Sequence, residues 1–370
     1  MARTCLVSIL AFLASLYSGC STAVEQGEFR EPSRFEPTRP ASPLPGARAL
    51  GTVEVDDEGL TPTISVPAFF TESTALLTTT APDTCFRTHS IEQAGIAHLT
   101  DGHPARGAAL DVWSPIASFE PGAGFDVRYQ RIRCETGTPL RRSGAELTVM
   151  ADAAPLDDPG VISLRFVVTE LSFLFDRPDR VEQLRAALAR ELSDAAIVPI
   201  LEIEEIAGAA AETRFSDLEL DALEALLSSA TPRSTHTIDV VFAGCLERES
   251  PSGAIHEVLG FTPRVGGGGG GPADAVFMPG LPCRGIGAAP NVPSIDSYAH
   301  VLAHELGHFL GLEHTVERDG TEDALDDTGE TNIMHFNPQR ISAQGFSRSQ
   351  ARHMRSHPFV QAAEPAAPTM

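Results

Sequence analysis

Residues 304 to 314 read H-E-L-G-H-F-L-G-L-E-H, a stretch whose histidines and carboxylate are side chains that hold and use a transition metal. His304 and His308 stand four apart, so on a helix their imidazoles share one face and can bind one ion together. Glu305 lies beside the first ligand, where a carboxylate reaches a metal-bound water without itself being a ligand. Gly311 comes three residues after His308, and glycine takes positive φ without steric cost, so the helix can stop there and the chain double back. The return brings His314 round as a third nitrogen ligand and leaves the fourth position for water, the open geometry of a catalytic zinc site. The competing reading is a helix with core histidines.

A bare H-E-x-x-H recurs by chance on amphipathic helices, but the eleven-residue form has a companion downstream. Asn332-Ile333-Met334-His335 places a methionine about twenty residues after His314. Together they resemble the metzincin zinc endopeptidases, in which Met334 would form a Met-turn, a structural floor beneath the metal. His314-Thr315, the Asp326-Asp327-Thr328 cluster, Asn332-Ile333-Met334, Phe346-Ser347-Arg348-Ser349-Gln350 and Met354 are similar to the pappalysin-like (cytophagalysin) branch. Two departures stand out: the pattern's Asp-Thr-Pro is here Asp327-Thr328-Gly329, and the cysteines usual around this loop are absent. The likeness covers roughly residues 297 to 357 by motif and reaches back to about 158 by element order alone.

The resemblance carries further implications. Calcium would sit in the acidic loop on Asp323, Asp326, Asp327 and Glu330, the alternative being a solvated acidic loop. The short run around Val276 and Phe277 would be an edge strand that pairs with extended substrate, or else an ordinary core strand. Phe336 and Pro338 would line the pocket for the residue after the scissile bond. Met334-His335-Phe336 carries no phenol, so no fifth ligand comes from there, and His300 reads as a packing residue one turn before His304.

These groups must be positioned by elements upstream. From about 158 the pattern alternates between strands and helices. Val161 to Thr169 suits a buried strand, and Pro178-Asp179 opens a helix with Val181, Leu184, Leu188 and Leu192 on one face. Val198 to Ile206 alternates again, Ser216 with Glu219 makes a capping box, and Ile238 to Phe242 is another strand. This βαβαβ order predicts a mixed, mostly parallel sheet with helices packed on it over residues 158–360. Ser294 or Asp296 is the expected N-cap of the zinc helix, and Ser347 with Gln350 caps a last helix. The six-glycine run from Gly266 lacks the Lys-Ser/Thr of a phosphate loop and reads as a flexible surface loop.

The chain has 370 residues and a formal net charge of −23, which excludes a basic nucleic-acid surface. Arg3, an apolar run from Leu6 to Tyr17, and Leu16-Tyr17-Ser18-Gly19-Cys20 resemble a signal peptide (1–20) ending in a bacterial lipobox, with Cys20 diacylated. Secretion after ordinary cleavage and an uncleaved anchor are the alternatives. Residues 21–50, rich in proline (Pro32, Pro37, Pro40, Pro43, Pro45), read as a tether. Residues 51–155 hold short alternating runs, such as Phe125, Val127 and Tyr129, and predict a small all-β, sandwich-like domain or a pro-domain. In the pro-domain version a Cys85 thiolate would block the metal. Cys85, Cys134, Cys245 and Cys283 remain after export, an even number; neighbourhood suggests Cys85–Cys134 and Cys245–Cys283 among three possible connectivities. Residues 361–370 read as a disordered tail.

The combined expectation is an α/β catalytic domain of metzincin type preceded by a small all-β domain. Its function would be an exported zinc endopeptidase, with zinc-bound water activated by Glu305 and a protein or peptide as substrate. It would be tethered to the outer membrane or cell surface. A latent or non-proteolytic zinc-binding surface lipoprotein and a zinc amidase acting on cell-wall peptides are the alternatives, and oligomeric state is not readable.

Overall fold

In the computed structural model the described residues are 47–68, 73–81, 83–100, 104–106, 108–113, 124–133, 138–154, 159–207, 212–216, 220–230, 236–249, 253–267, 274–281, 283, 294–316, 323, 325, 327–337 and 345–363. The expected signal segment, Cys20, Cys134, Asp326, Pro338 and most of the tether and tail lie outside them.

Among the described residues of the first half the regular elements are strands: β1 (Arg48–Glu54), β2 (Ile64–Val66), β3 (Ser73–Thr79), β4 (Cys85–Gln93), β5 (Ile96–Thr100), β6 (Pro104–Arg106), β7 (Ala108–Trp113), β8 (Phe125–Ile132) and β9 (Glu146–Ala154). Alternating residues such as Phe125, Val127 and Tyr129 turn to one side, as period-two patterning requires. A sandwich implies two sheets, but these strands join into one sheet in the order β1-β9-β3-β7-β6-β4-β8-β2, with β5 beside β4. Its two ends share a core: Val55, Leu147 and Val149 pack in one cluster with Ile64, Val127 and Tyr129. Pairing begins at Arg48, inside the stretch read as tether.

The second half contains β10 (Gly160–Thr169), α1 (Pro178–Glu191), β11 (Ile197–Ile206), β12 (Glu212–Ser216), α2 (Asp221–Ser228), β13 (Thr237–Ala243), β14 (Cys245–Glu249), β15 (Ile255–Glu257), β16 (Ala275–Pro279), α3 (Ile295–Phe309), α4 (Arg348–Arg355) and β17 (Val360–Ala362). Strands β11, β10, β13 and β16 lie side by side and parallel, and β17 adds antiparallel to the start of β10. This is the mixed, mostly parallel sheet with helices that the element order predicts. On β10, Ile162, Leu164, Phe166 and Val168 face the core shared with α1 and α3, while Val167 faces Phe215, Leu223 and Phe261 on the other side. Pro178 at the first helical position and buried Val181, Leu184 and Leu188 make α1 as its periodicity demands.

Three features differ from expectation. Ser216 belongs to β12, in a separate three-stranded sheet β12-β14-β15, so it does not cap α2, which starts at Asp221 with no side-chain cap. The sheet does not end at β16: Phe261 and Phe277 exchange both backbone hydrogen bonds at 2.9 Å, so the segment around Phe261 lies antiparallel outside β16. The glycine run is not all loop. Gly266 and Gly267 donate from their backbone N–H groups to the carbonyls of His308 and Phe309 (3.0 and 2.8 Å), closing the C-terminal end of α3. Gly266 does so at φ +77°, open to glycine at little cost, with Leu110 backbone where a Cβ would stand.

Candidate metal centre

Helix α3 starts where Ser294 accepts a hydrogen bond from the Ser297 N–H at 3.1 Å. It ends at Phe309, and Gly311 at φ +95° turns the chain back, with Leu312 N–H donating to the Gly307 carbonyl. The turn places His314 beside the two helical histidines. His308 Nε2 lies 3.1 Å from His304 Nε2 and 3.1 Å from His314 Nε2, and all three rings are buried.

The protons on two of these rings can be placed. His304 Nδ1 is 2.8 Å from the Ile333 carbonyl and His308 Nδ1 is 2.8 Å from the Leu312 carbonyl. A carbonyl only accepts, so each Nδ1 is the N–H donor and each Nε2 presents a lone pair inward. Burial, and then the neighbouring His314, hold the His304 imidazole well below its ordinary pKa, so it stays neutral. Converging lone pairs at this spacing repel one another unless a cation lies between them. The donor set therefore fits a zinc ion with three imidazole ligands.

The Met-turn is locked by polar contacts around it. Met334 is fully buried and its sulfur lies under Gly307, where a Cβ would come within 2.5 Å of it. Asn332 Oδ1 accepts from the Met334 N–H at 2.8 Å, and Thr315 N–H donates to the Met334 carbonyl at 2.9 Å. Asn332 also pairs reciprocally with Gln350 through both amide atoms (2.8 and 3.0 Å). Gln350 meanwhile completes the capping box of α4 with Ser347. The site's floor, the ring of His304 and the last helix thus form one hydrogen-bonded unit.

Glu305 is 1% exposed. Its Oε2 accepts from the Thr262 hydroxyl at 2.7 Å, and among the described residues Oε1 has no hydrogen-bond partner. Burial pushes its carboxyl up to about 8, against the lowering effect of Thr262. Gly260 packs against the same side chain.

Other sequence-picked residues fall elsewhere. Val276 and Phe277 are fully buried, and Phe277's backbone is spent on Phe261, so this strand offers no edge to a substrate. Phe336 is half-buried with its ring tilted against His335 at 4.5 Å. His300 ties α3 to α1 through Glu191 at 2.9 Å. Of the acidic loop, Asp323 accepts from Thr328 at 2.6 Å, while Asp327 accepts from the Ser347 hydroxyl and the Ser349 N–H at the start of α4. Glu330 is exposed, and no described set of these carboxylates converges, so the expected calcium site finds no support. Cys245 and Cys283 are joined in a disulfide. Cys85 is disulfide-bonded as well, which removes the thiolate needed to block the metal.

Sequence reading missed Gly260, Thr262, Gly266 and the Asn332–Gln350 pair. Gln350 had a local signal in its capping box; the others act across long separations and had none.

Residues 290–355 match the family model Peptidase_M43, described as pregnancy-associated plasma protein-A. The segment that builds the site resembles a pappalysin-type metzincin. That match supports a zinc metallopeptidase. It spans the zinc helix, the Met-turn and α4, and leaves out everything before 290. Metalloproteinase-II from Bacteroides fragilis is similar over 56% of this chain and 62% of its own, at 15% identity and TM-score 0.33. Archaemetzincin from Methanopyrus kandleri is similar over 55% of this chain and 89% of its own, at 13% identity and TM-score 0.29. Likenesses this distant carry no functional weight, and the chain spans just under two thirds of the Bacteroides structure's length. No curated protein matches the chain.

Proposed function

We propose that the chain is an exported zinc endopeptidase in which His304, His308 and His314 hold the metal and Glu305 is the general base. One observation carries this reading: three buried imidazole Nε2 atoms converge at 3.1 Å spacings on the helix that carries the buried Glu305. Zinc bound there supplies a Lewis acid that acidifies water and polarises a carbonyl.

The chain's own groups do the rest. The Ile333 and Leu312 carbonyls fix the tautomer and tilt of two ligands. Glu305 Oε1, without a hydrogen-bond partner among the described residues, takes a proton from the attacking water and returns it to the leaving amine.

An extended peptide would pair with the segment Leu259–Thr262 rather than with β16. Phe261 spends its N–H and C=O inward on Phe277, so in an extended strand Gly260 and Thr262 direct theirs to the opposite side. Export is supported by the Cys245–Cys283 disulfide, which persists in oxidising compartments. Fatty-acid labelling that is lost in Cys20→Ser would establish the lipid anchor.

The deciding experiment is incubation of the purified chain with an unfolded protein, a peptide pool and cell-wall peptides, with zinc content measured on the same sample and Glu305→Ala alongside. Cleavage of the protein or peptides that disappears in the variant, with zinc retained, is the expected result. Cleavage of cell-wall peptides alone would mean an amidase. Bound zinc without any cleavage would mean a binding module, and no zinc would sink the reading.

A further inference from the structure

Glu305 stands in a cradle that no motif announces. Thr262 is 2% exposed, and its Oγ1 lies 2.7 Å from Glu305 Oε2 and 2.9 Å from Glu305's own carbonyl oxygen. The hydroxyl has one hydrogen, shared between the side-chain and main-chain oxygens of the same residue, so Thr262 holds the carboxyl close to its own backbone. On the other flank, Gly260 leaves room that no other residue could leave. A Cβ there would stand 2.7 Å from Glu305 Cγ and 2.8 Å from Oε1. Glu305 is thus hydrogen-bonded at Oε2, while Oε1 is buried beside Gly260 with no hydrogen-bond partner among the described residues.

The segment that brings these two residues, joined to β16 by a single bridge, is itself held in place. Phe261, between them, is clamped to Phe277 by two backbone hydrogen bonds, and its ring is buried against Phe215 at 4.7 Å. Gly260 and Thr262 sit on alternate positions of that segment, so both face the same way, toward the zinc helix. A hydroxyl buried at 2% serves a polar need, and among the described residues both of its partners are on Glu305.

We propose that Thr262 is a positioning residue for the general base: it engages Oε2, and with Gly260 it leaves Oε1 as the oxygen that meets the reacting water. This rests on the zinc-peptidase reading for its consequence but not for its geometry. A carboxyl freed from this grip would sample other rotamers, and a displacement of about 1 Å at a catalytic group costs on the order of 100-fold in rate.

The test compares Thr262→Val, which keeps the shape and removes the hydroxyl, with Thr262→Ser, which keeps the hydroxyl, and with Gly260→Ala. Two readouts are taken: crystal structures of the variants, and kcat and KM for a peptide the wild type cleaves, with zinc content as control. The expected result is that Glu305 leaves its place in Thr262→Val and Gly260→Ala but not in Thr262→Ser. The kcat should fall about 10- to 100-fold in the first two, with KM and zinc unchanged, and return to within about threefold of wild type in Thr262→Ser. A Glu305 carboxyl that stays put in Thr262→Val overturns the proposal even for a chain that cleaves nothing. So does equal loss in Thr262→Ser and Thr262→Val, which would mean packing alone. A wild type without peptidase activity instead refutes the zinc-peptidase reading and leaves the crystallographic comparison to decide the role of Thr262.

Discussion

His304, Glu305, His308 and His314 come from one eleven-residue stretch, whereas the groups that grip Glu305, Gly260 and Thr262, come from a segment far upstream that reaches the helix only through the sheet. The ligand side is a product of local geometry: four-residue spacing on a helix, then a glycine turn. The opposite side is a product of sheet order, because Phe261 must find Phe277 before Gly260 and Thr262 can face α3. One consequence is that the two sides can be broken separately. Loss of a ligand should abolish metal binding, and loss of the cradle should spare it.

The largest effect is expected on the local side. His308→Ala removes the ring that lies 3.1 Å from both other ligands, so zinc content should drop from about one per chain to near none and activity with it. Retained stoichiometric zinc in that variant would break the comparison outright.

Next comes the amide pair that joins the Met-turn to α4. Asn332→Ala strands the buried Gln350 amide and removes the Met334 N–H acceptor, at a cost of about 2–4 kcal/mol in urea unfolding. Gln350→Ala should cost a similar amount, and the double variant clearly less than the sum. Additive losses would show that the two residues act independently.

The pH dependence of the metal-free chain sharpens the contrast between buried rings and buried carboxyls. Burial lowers His353 to about 4 and His357 to about 3, and lowers His304 strongly as well. Burial raises Glu305 to about 8 and Asp323 to about 7. Between about pH 4.5 and 6.5 the unfolded chain takes up three protons on these histidines, and the folded chain keeps two on the carboxyls. His335 is lowered by burial as well, so stability rises with pH there. Above 6.5 the histidine contribution ends, while the folded carboxyls still hold protons that the unfolded ones have lost, so stability falls toward pH 8. Thermal melting in chelator should peak near pH 6.5. A Tm that climbs steadily to pH 8 would contradict the buried, neutral Glu305.

The smallest effect separates two glycines of the same backbone class. Gly253 and Gly266 both have φ near +78°, but a Cβ on Gly253 meets nothing within 4 Å, whereas on Gly266 it runs into the Leu110 backbone. Gly253→Ala should cost about 1 kcal/mol from backbone strain alone, and Gly266→Ala distinctly more, with the end of α3 loosened in hydrogen exchange. Equal costs would remove Gly266 from the support of the zinc helix.

By itself the sequence determined the metal-ligand stretch, the Met-turn, the capping box of Ser347 with Gln350, and the β10-α1-β11-α2-β13 order, though not the intervening β12 or the strands β14, β15 and β17. Each of these is written in spacing over a few turns or in periodicity over one element, and such patterns survive in one dimension. Tertiary structure decided between the two readings of Val276 and Phe277, making them part of a buried core strand with the Phe261 segment outside it. It also joined the strands of the first half into one sheet, paired Asn332 with Gln350, turned Asp323 and Asp327 to internal hydrogen bonds, and put Thr262 on Glu305. None of those contacts has a sequence period, because a hydrogen bond between distant strands depends on the path of the chain between them and not on the residues beside either partner.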